Sequence, residues 1–75
     1  MAGNRTRDDK LEALIGRNLR RFRERRQLTQ TELGDRFGVT FQQIQKYEKG
    51  NNRMSASLLF RAAGFLKVPM AHFFR

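Results

Sequence analysis

Apolar side chains recur at Leu11, Leu14, Ile15, Leu19 and Phe22, the three-and-four spacing that lines one side of an α-helix. The pattern predicts a first helix over residues 9–26. Asp8 and Asp9 offer a cap and a favourable charge at its amino end, and arginines crowd from Arg20 to Arg26 at the other. Gly16 lowers helix propensity in its middle, a cost that the close approach of a neighbouring helix would offset. Ahead of it, Gly3, Asn4, Arg5, Thr6 and Arg7 carry no apolar pattern. Residues 1–8 are therefore expected to form a flexible basic arm, and residues 9–75 a single domain.

The pattern then shortens its stride. Thr29 and Glu32 have the T-x-x-E spacing of a capping box, which starts a second helix at Gln30 with Leu33 and Phe37 on its apolar side. Gly38 ends it, because glycine tolerates the left-handed conformation that follows many helices. Thr40 and Gln43 repeat the box as T-x-x-Q and open a third helix with Ile44 and Tyr47 inward. Two short capped helices joined by a glycine turn form a helix-turn-helix, here over about residues 30–49. After the polar loop Gly50-Asn51-Asn52-Arg53, Ser55 caps a fourth helix carrying Leu58, Leu59, Ala62, Ala63 and Leu66, which Gly64 weakens near its end. Pro69 blocks its continuation and suits the first turn of a fifth short helix ending at Phe73 and Phe74. No strand pattern or repeat is visible. The expected fold is all-α, a compact five-helix domain.

Charge narrows the choice of partner. Sixteen Lys and Arg against seven Asp and Glu leave a net +9 on 75 residues, which favours a polyanion. With no cysteine and one histidine, His72, neither a disulfide nor a zinc site is expected, and a reducing cytoplasm, at the nucleoid, fits. His72 suits a surface or interface role. No cofactor is expected either. No apolar run has the length of a signal peptide core or a membrane span. The chain offers no convincing nucleophile or acid–base pair, so an enzyme is not expected.

The run LTQTELGDRFGVTFQQIQKYEKG, Leu28 to Gly50, resembles the Xre/Cro-repressor helix-turn-helix family, whose members have a lambda-repressor-like DNA-binding domain. The matching pieces are Leu28-Thr29-Gln30, Glu32-Leu33, Gly38-Val39-Thr40, Ile44 and Tyr47-Glu48 followed by Gly50, and the envelope extends over about residues 15–74. Gly34 departs from the family's usual alanine but still permits close packing of the second and third helices. The resemblance implies sequence-specific binding of double-stranded DNA by a small transcriptional regulator, a repressor, with the third helix, residues 41–49, in the major groove. It maps base reading onto Phe41, Gln42 and Lys46, with Gln45 flanking. It makes Gln30, Thr40 and Gln43 phosphate contacts, and Asn51, Asn52 and Arg53 contacts to the sugar-phosphate backbone. It also implies that Arg23 and Glu48 form a structural ion pair, which would remove Arg23 from the DNA contacts. Phe41 departs from a position that is often polar in the family, so the base preference is not carried over.

The residues taken alone agree on the outward stripe. Glutamine can pair with adenine N6/N7, lysine can reach guanine O6/N7, and a phenyl ring can touch a thymine methyl. Plainer readings stand beside these: a solvated helix face, threonines that only cap, an ordinary polar loop, and an arm whose Arg5 and Arg7 stay in solvent. One recognition helix reads too few base pairs to single out a genomic site, so a homodimer on a palindromic operator is expected, joined through Phe65, Met70 and Phe74, with Phe73 completing the core. The competing reading is a protein-interaction module, antitoxin-like or coactivator-like, built on the same fold. Binding of RNA or of a membrane surface would need neither capping box. If Arg75 ends the natural chain, control by ligand or proteolysis would fall to a partner.

Overall fold

The computed structural model describes residues 8–75, and each of its four α-helices starts on a residue whose side chain caps it. Helix α1 runs Asp9–Arg25, with the Asp8 carboxylate accepting the Leu11 N–H at 3.1 Å. Helix α2, Gln30–Phe37, opens with a reciprocal box: Thr29 Oγ1 accepts from the Glu32 N–H at 3.0 Å and Glu32 Oε1 accepts from the Thr29 N–H at 2.8 Å. Gly38 closes α2 in the left-handed region at φ 72°. Helix α3 spans Phe41–Glu48 and makes only the first half of its box, Thr40 Oγ1 accepting from the Gln43 N–H. Helix α4, Ala56–Leu66, starts on Ser55, whose hydroxyl accepts from Leu58. The arm predicted over residues 1–8, with Arg5 and Arg7, lies outside the described residues except for Asp8, which is the cap of α1.

The fifth α-helix is not there. Met70–Phe74 forms one turn of 3₁₀-helix, with the His72 N–H bonded to the Pro69 carbonyl three residues back. Five residues are too few to gain from i→i+4 bonding, and the turn is held by packing instead. The domain is four α-helices and this turn, all helical among the described residues.

Phe73 explains why the turn docks. It is fully buried, and its ring meets Phe22 of α1 edge-on at 5.2 Å. Around this pair the core gathers Ile15 and Leu19 from α1, Leu33 and Phe37 from α2, Ile44 from α3 and Leu59, Ala62 and Leu66 from α4. Buried Asn18 ties the same turn to α1 with polar bonds: its amide nitrogen donates to the carbonyls of Phe73 at 2.8 Å and Arg75 at 3.2 Å, and its oxygen accepts from Arg21 at 2.9 Å.

Main-chain contacts set the mounting of α3. A Cβ on Gly16 would overlap the Tyr47 carbonyl oxygen and lie 2.6 Å from that of Glu48. The absent side chain lets the end of α3 rest directly on α1. Gly34 does the same inside the helix-turn-helix, where a Cβ would come within 2.6 Å of the Val39 carbonyl. Alanine, usual in the family, would therefore require the turn to shift here.

Candidate nucleic-acid interface

With 3.6 residues per turn, the eight residues of α3 divide cleanly by burial. Ile44 and Glu48 are buried, Gln43 and Tyr47 are half-buried, and Phe41, Gln42, Gln45 and Lys46 form one exposed arc. Phe41 and Gln45, four apart, share one edge of that arc, and Gln42 and Lys46 share the other. Among the described residues, the side chains of Gln42, Gln45 and Lys46 make no hydrogen bond or ion pair. Glu48, the one acid of α3, is turned inward, so the arc carries donors, acceptors and a cation but no anion.

The opposite side of α3 is saturated. Glu48 Oε2 accepts from Arg23 Nε at 2.6 Å and Oε1 from Arg23 Nη2 at 3.1 Å, a two-pronged pair between α1 and α3. Arg23 Nη1 also donates to the Leu28 carbonyl at 2.8 Å, and Gln30 Nε2 to Glu48 Oε1 at 3.0 Å. The hydrogen bond to Glu48 raises the Arg23 pKa above its ordinary value, burial opposes this, and the Glu48 charge adds to the rise. Arg23 thus stays a cation at every accessible pH. Among the described residues no buried side-chain nitrogen or oxygen lacks a partner.

Gln30 therefore sits differently from a free phosphate ligand. It is half-buried at the first position of α2, one amide hydrogen committed to Glu48 and the rest of the group available. Thr40 is exposed and Gln43 half-buried at the start of α3. Asn51 and Arg53 are exposed and Asn52 half-buried in the loop after α3, where the Asn51 and Asn52 N–H groups bond the Lys46 carbonyl at 2.9 and 3.3 Å. Gly50, left-handed at φ 76°, passes against the backbone of Ala13, and Met54 is buried, so the loop is pinned at both ends. An open groove of about 500 Å³ runs beside α3, with Arg20, Lys49, Thr29, Gln30 and Gln45 in its walls and the Arg23–Glu48 pair at its base.

The aromatic residues assigned to a dimer contact divide. Phe65 and Met70 are half-buried against the core, Phe65 meeting Phe37 edge-on at 6.3 Å with Arg36 over its face at 4.5 Å. Phe74 is exposed. Sequence reasoning missed Phe60, the most exposed large apolar residue described at 72%, and missed Asn18. In α4 eight of eleven residues are Ala, Leu or Phe, so periodicity marks no face, and nothing adjacent to Asn18 in sequence announces partners 55 residues away.

A family model described as helix-turn-helix matches residues 19–73. An uncharacterized HTH-type transcriptional regulator of Sinorhizobium fredii is 44% identical over 70 residues, covering 93% of this chain and 49% of that protein. An uncharacterized transcriptional regulator in the ATPase CF(0) region of Rhodospirillum rubrum is 48% identical over 64 residues, covering 85% of this chain and 59% of that one. The chain thus spans about half the length of the curated relatives it matches. Among solved structures, the crystal structure of a hypothetical transcription factor from Neisseria superposes with a TM-score of 0.78 at 21% identity, over all of this chain and 87% of that one, a likeness of fold.

Proposed function

Because the chain belongs to the Xre/Cro-type helix-turn-helix family, we propose that it binds double-stranded DNA sequence-specifically and represses transcription, with α3 in the major groove. One observation carries this reading: the exposed arc of α3 holds Gln42, Gln45 and Lys46 without an acid or, among the described residues, a hydrogen-bond partner, and Phe41 beside them, while the inner side of the same helix is locked to α1. Gln42 and Lys46 are the base readers, with Gln45 and Phe41 along the other edge. Gln30, Thr40 and Gln43 meet phosphates at the amino ends of α2 and α3, and Asn51, Asn52 and Arg53 meet the backbone beyond α3. Two protomers read a palindrome with half-sites about one DNA turn, roughly 34 Å, apart. Their contact uses Phe74, with Phe65 and Met70 contributing only the edges that the core leaves open. Residues 9–75 act as the binding domain, residues 1–8 as a basic arm, and the site of action is the cytoplasmic nucleoid.

Footprinting on the DNA flanking the protein's own gene tests this. A protected inverted repeat with two protomers per site is expected; uniform, sequence-independent protection would sink the specific reading. A second reading, a module that holds another protein, has the exposure of Phe60 and Phe74 in its favour. Random duplex DNA separates the two: a DNA binder retains salt-dependent affinity for it, and a protein adaptor shows almost none even at low salt.

A further inference from the structure

Resting on that reading of α3, we infer that Phe41 reads the 5-methyl group of a pyrimidine in the major groove, so that this protein distinguishes thymine from uracil, and 5-methylcytosine from cytosine, at one position of each half-site. Phe41 is the first residue of α3, directly after its capping threonine, and is 40% exposed. Among the described residues it makes none of the ring–ring or cation–ring contacts that engage Phe22, Phe37, Phe65 and Phe73. The ring is not among the residues packed into the core.

In a helix-turn-helix the amino-terminal residues of the recognition helix meet the base edges. A phenyl ring there can accept no hydrogen bond from N6 or N4 and donate none to O6 or N7. The apolar group that a base presents in the major groove is the pyrimidine 5-methyl. Gln45, one turn further along the same edge, supplies the amide that pairs with adenine N6/N7. The Phe41–Gln45 edge therefore suits A·T pairs through two different chemistries, one of which, the methyl contact, is equally satisfied by a methylated cytosine.

Burying one methyl group against the ring changes affinity about fourfold. The test starts from the duplex that this chain selects out of a random library. Each thymine of that duplex is replaced in turn by deoxyuridine, and binding is measured for the wild type and for Phe41→Ala. The expected result is a loss of about fourfold at one position per half-site, absent in Phe41→Ala. At that position, 5-methylcytosine should bind about fourfold tighter than cytosine, again only with Phe41 present. A cooperative thermal unfolding transition certifies the fold of Phe41→Ala, and Phe41→Leu should retain part of the methyl effect. If no uracil substitution matters, or if the effect survives in a folded Phe41→Ala, the inference is overturned while specific DNA binding stands. A library that yields no preferred duplex removes specific reading itself, and this inference with it.

Discussion

The inner and outer sides of α3 are made from the same chemical vocabulary and do opposite things. Inside, Arg23 of α1 and Gln30 at the start of α2 both donate to Glu48 Oε1 of α3, and among the described residues every buried side-chain nitrogen and oxygen is paired. Outside, two glutamines and a lysine lie in solvent with no protein partner among the described residues. What sets the proposed recognition surface apart is therefore not polarity but unspent hydrogen-bonding capacity. The paired inner side fixes the backbone of α3, so the proposed reading side chains are carried on a helix whose position is set before binding and whose ordering need not be repeated on binding.

The sharpest way to break the contrast is Glu48→Ala. It strands the Arg23 guanidinium in a poorly solvated site, where loss of one partner of a buried pair costs about 3–5 kcal/mol. Thermal or urea unfolding should show most of the reserve of so small a domain gone, and Arg23→Met/Glu48→Ala should regain part of it. An unchanged melting point in the single mutant would mean the inner side is not the mount.

On the outer side, Gln42→Ala and Lys46→Ala should leave melting within about 0.5 kcal/mol of the parent, as is usual for surface substitutions. Each should weaken binding to the selected duplex by about 1–3 kcal/mol, with a much smaller effect on random DNA. Equal losses on both DNAs would take these side chains out of sequence reading. Gln30→Ala probes the boundary between the sides. It should cost about 1 kcal/mol of stability through the lost bond to Glu48 and weaken specific and random DNA alike. A stability loss with no binding loss would place Gln30 wholly on the inner side.

The smallest expected change is a gain. Gly64 is exposed in α4 with nothing within 4 Å of an added Cβ, so Gly64→Ala should stabilise by about 0.5–1 kcal/mol. Calorimetry reads the gain, and binding should not follow it. If affinity rose with stability, the separation of mount from reader would be wrong.

Much of this organisation was legible in the chain because it is local. Thr29 with Glu32, Thr40, Ser55 and Gly38 mark helix ends through atoms a few residues away, and the structure uses each of them. Gly16 signalled a close approach without saying to what. The second half of the α3 box failed because glutamine at that position is not obliged to reach back. The final turn looked like an α-helix because Pro69 and the two phenylalanines specify a start and a buried side, whereas the choice between 3₁₀ and α lies in docking against Phe22. Phe60 and Asn18 were invisible for related reasons: one is exposed on a helix apolar nearly all round, and the other finds its partners at the far end of the chain. The residues of the candidate interface came from the family pattern, because no local signal distinguishes a base-reading glutamine from a solvated one.

The docking of Phe73 on Phe22 also sets a timetable during synthesis. Fifty-one positions separate the two rings, so at 5–20 residues per second the ribosome leaves the hydrophobic side of α1 without its edge-on partner for roughly 3–10 s. Loop closure and helix formation take microseconds or less, so the newly made chain waits on translation rather than on its own folding. Asn18 then fastens the arriving turn through the Phe73 and Arg75 carbonyls. In the cell, the apolar side of α1 is open to chaperones and proteases until Phe73 has been added and can dock.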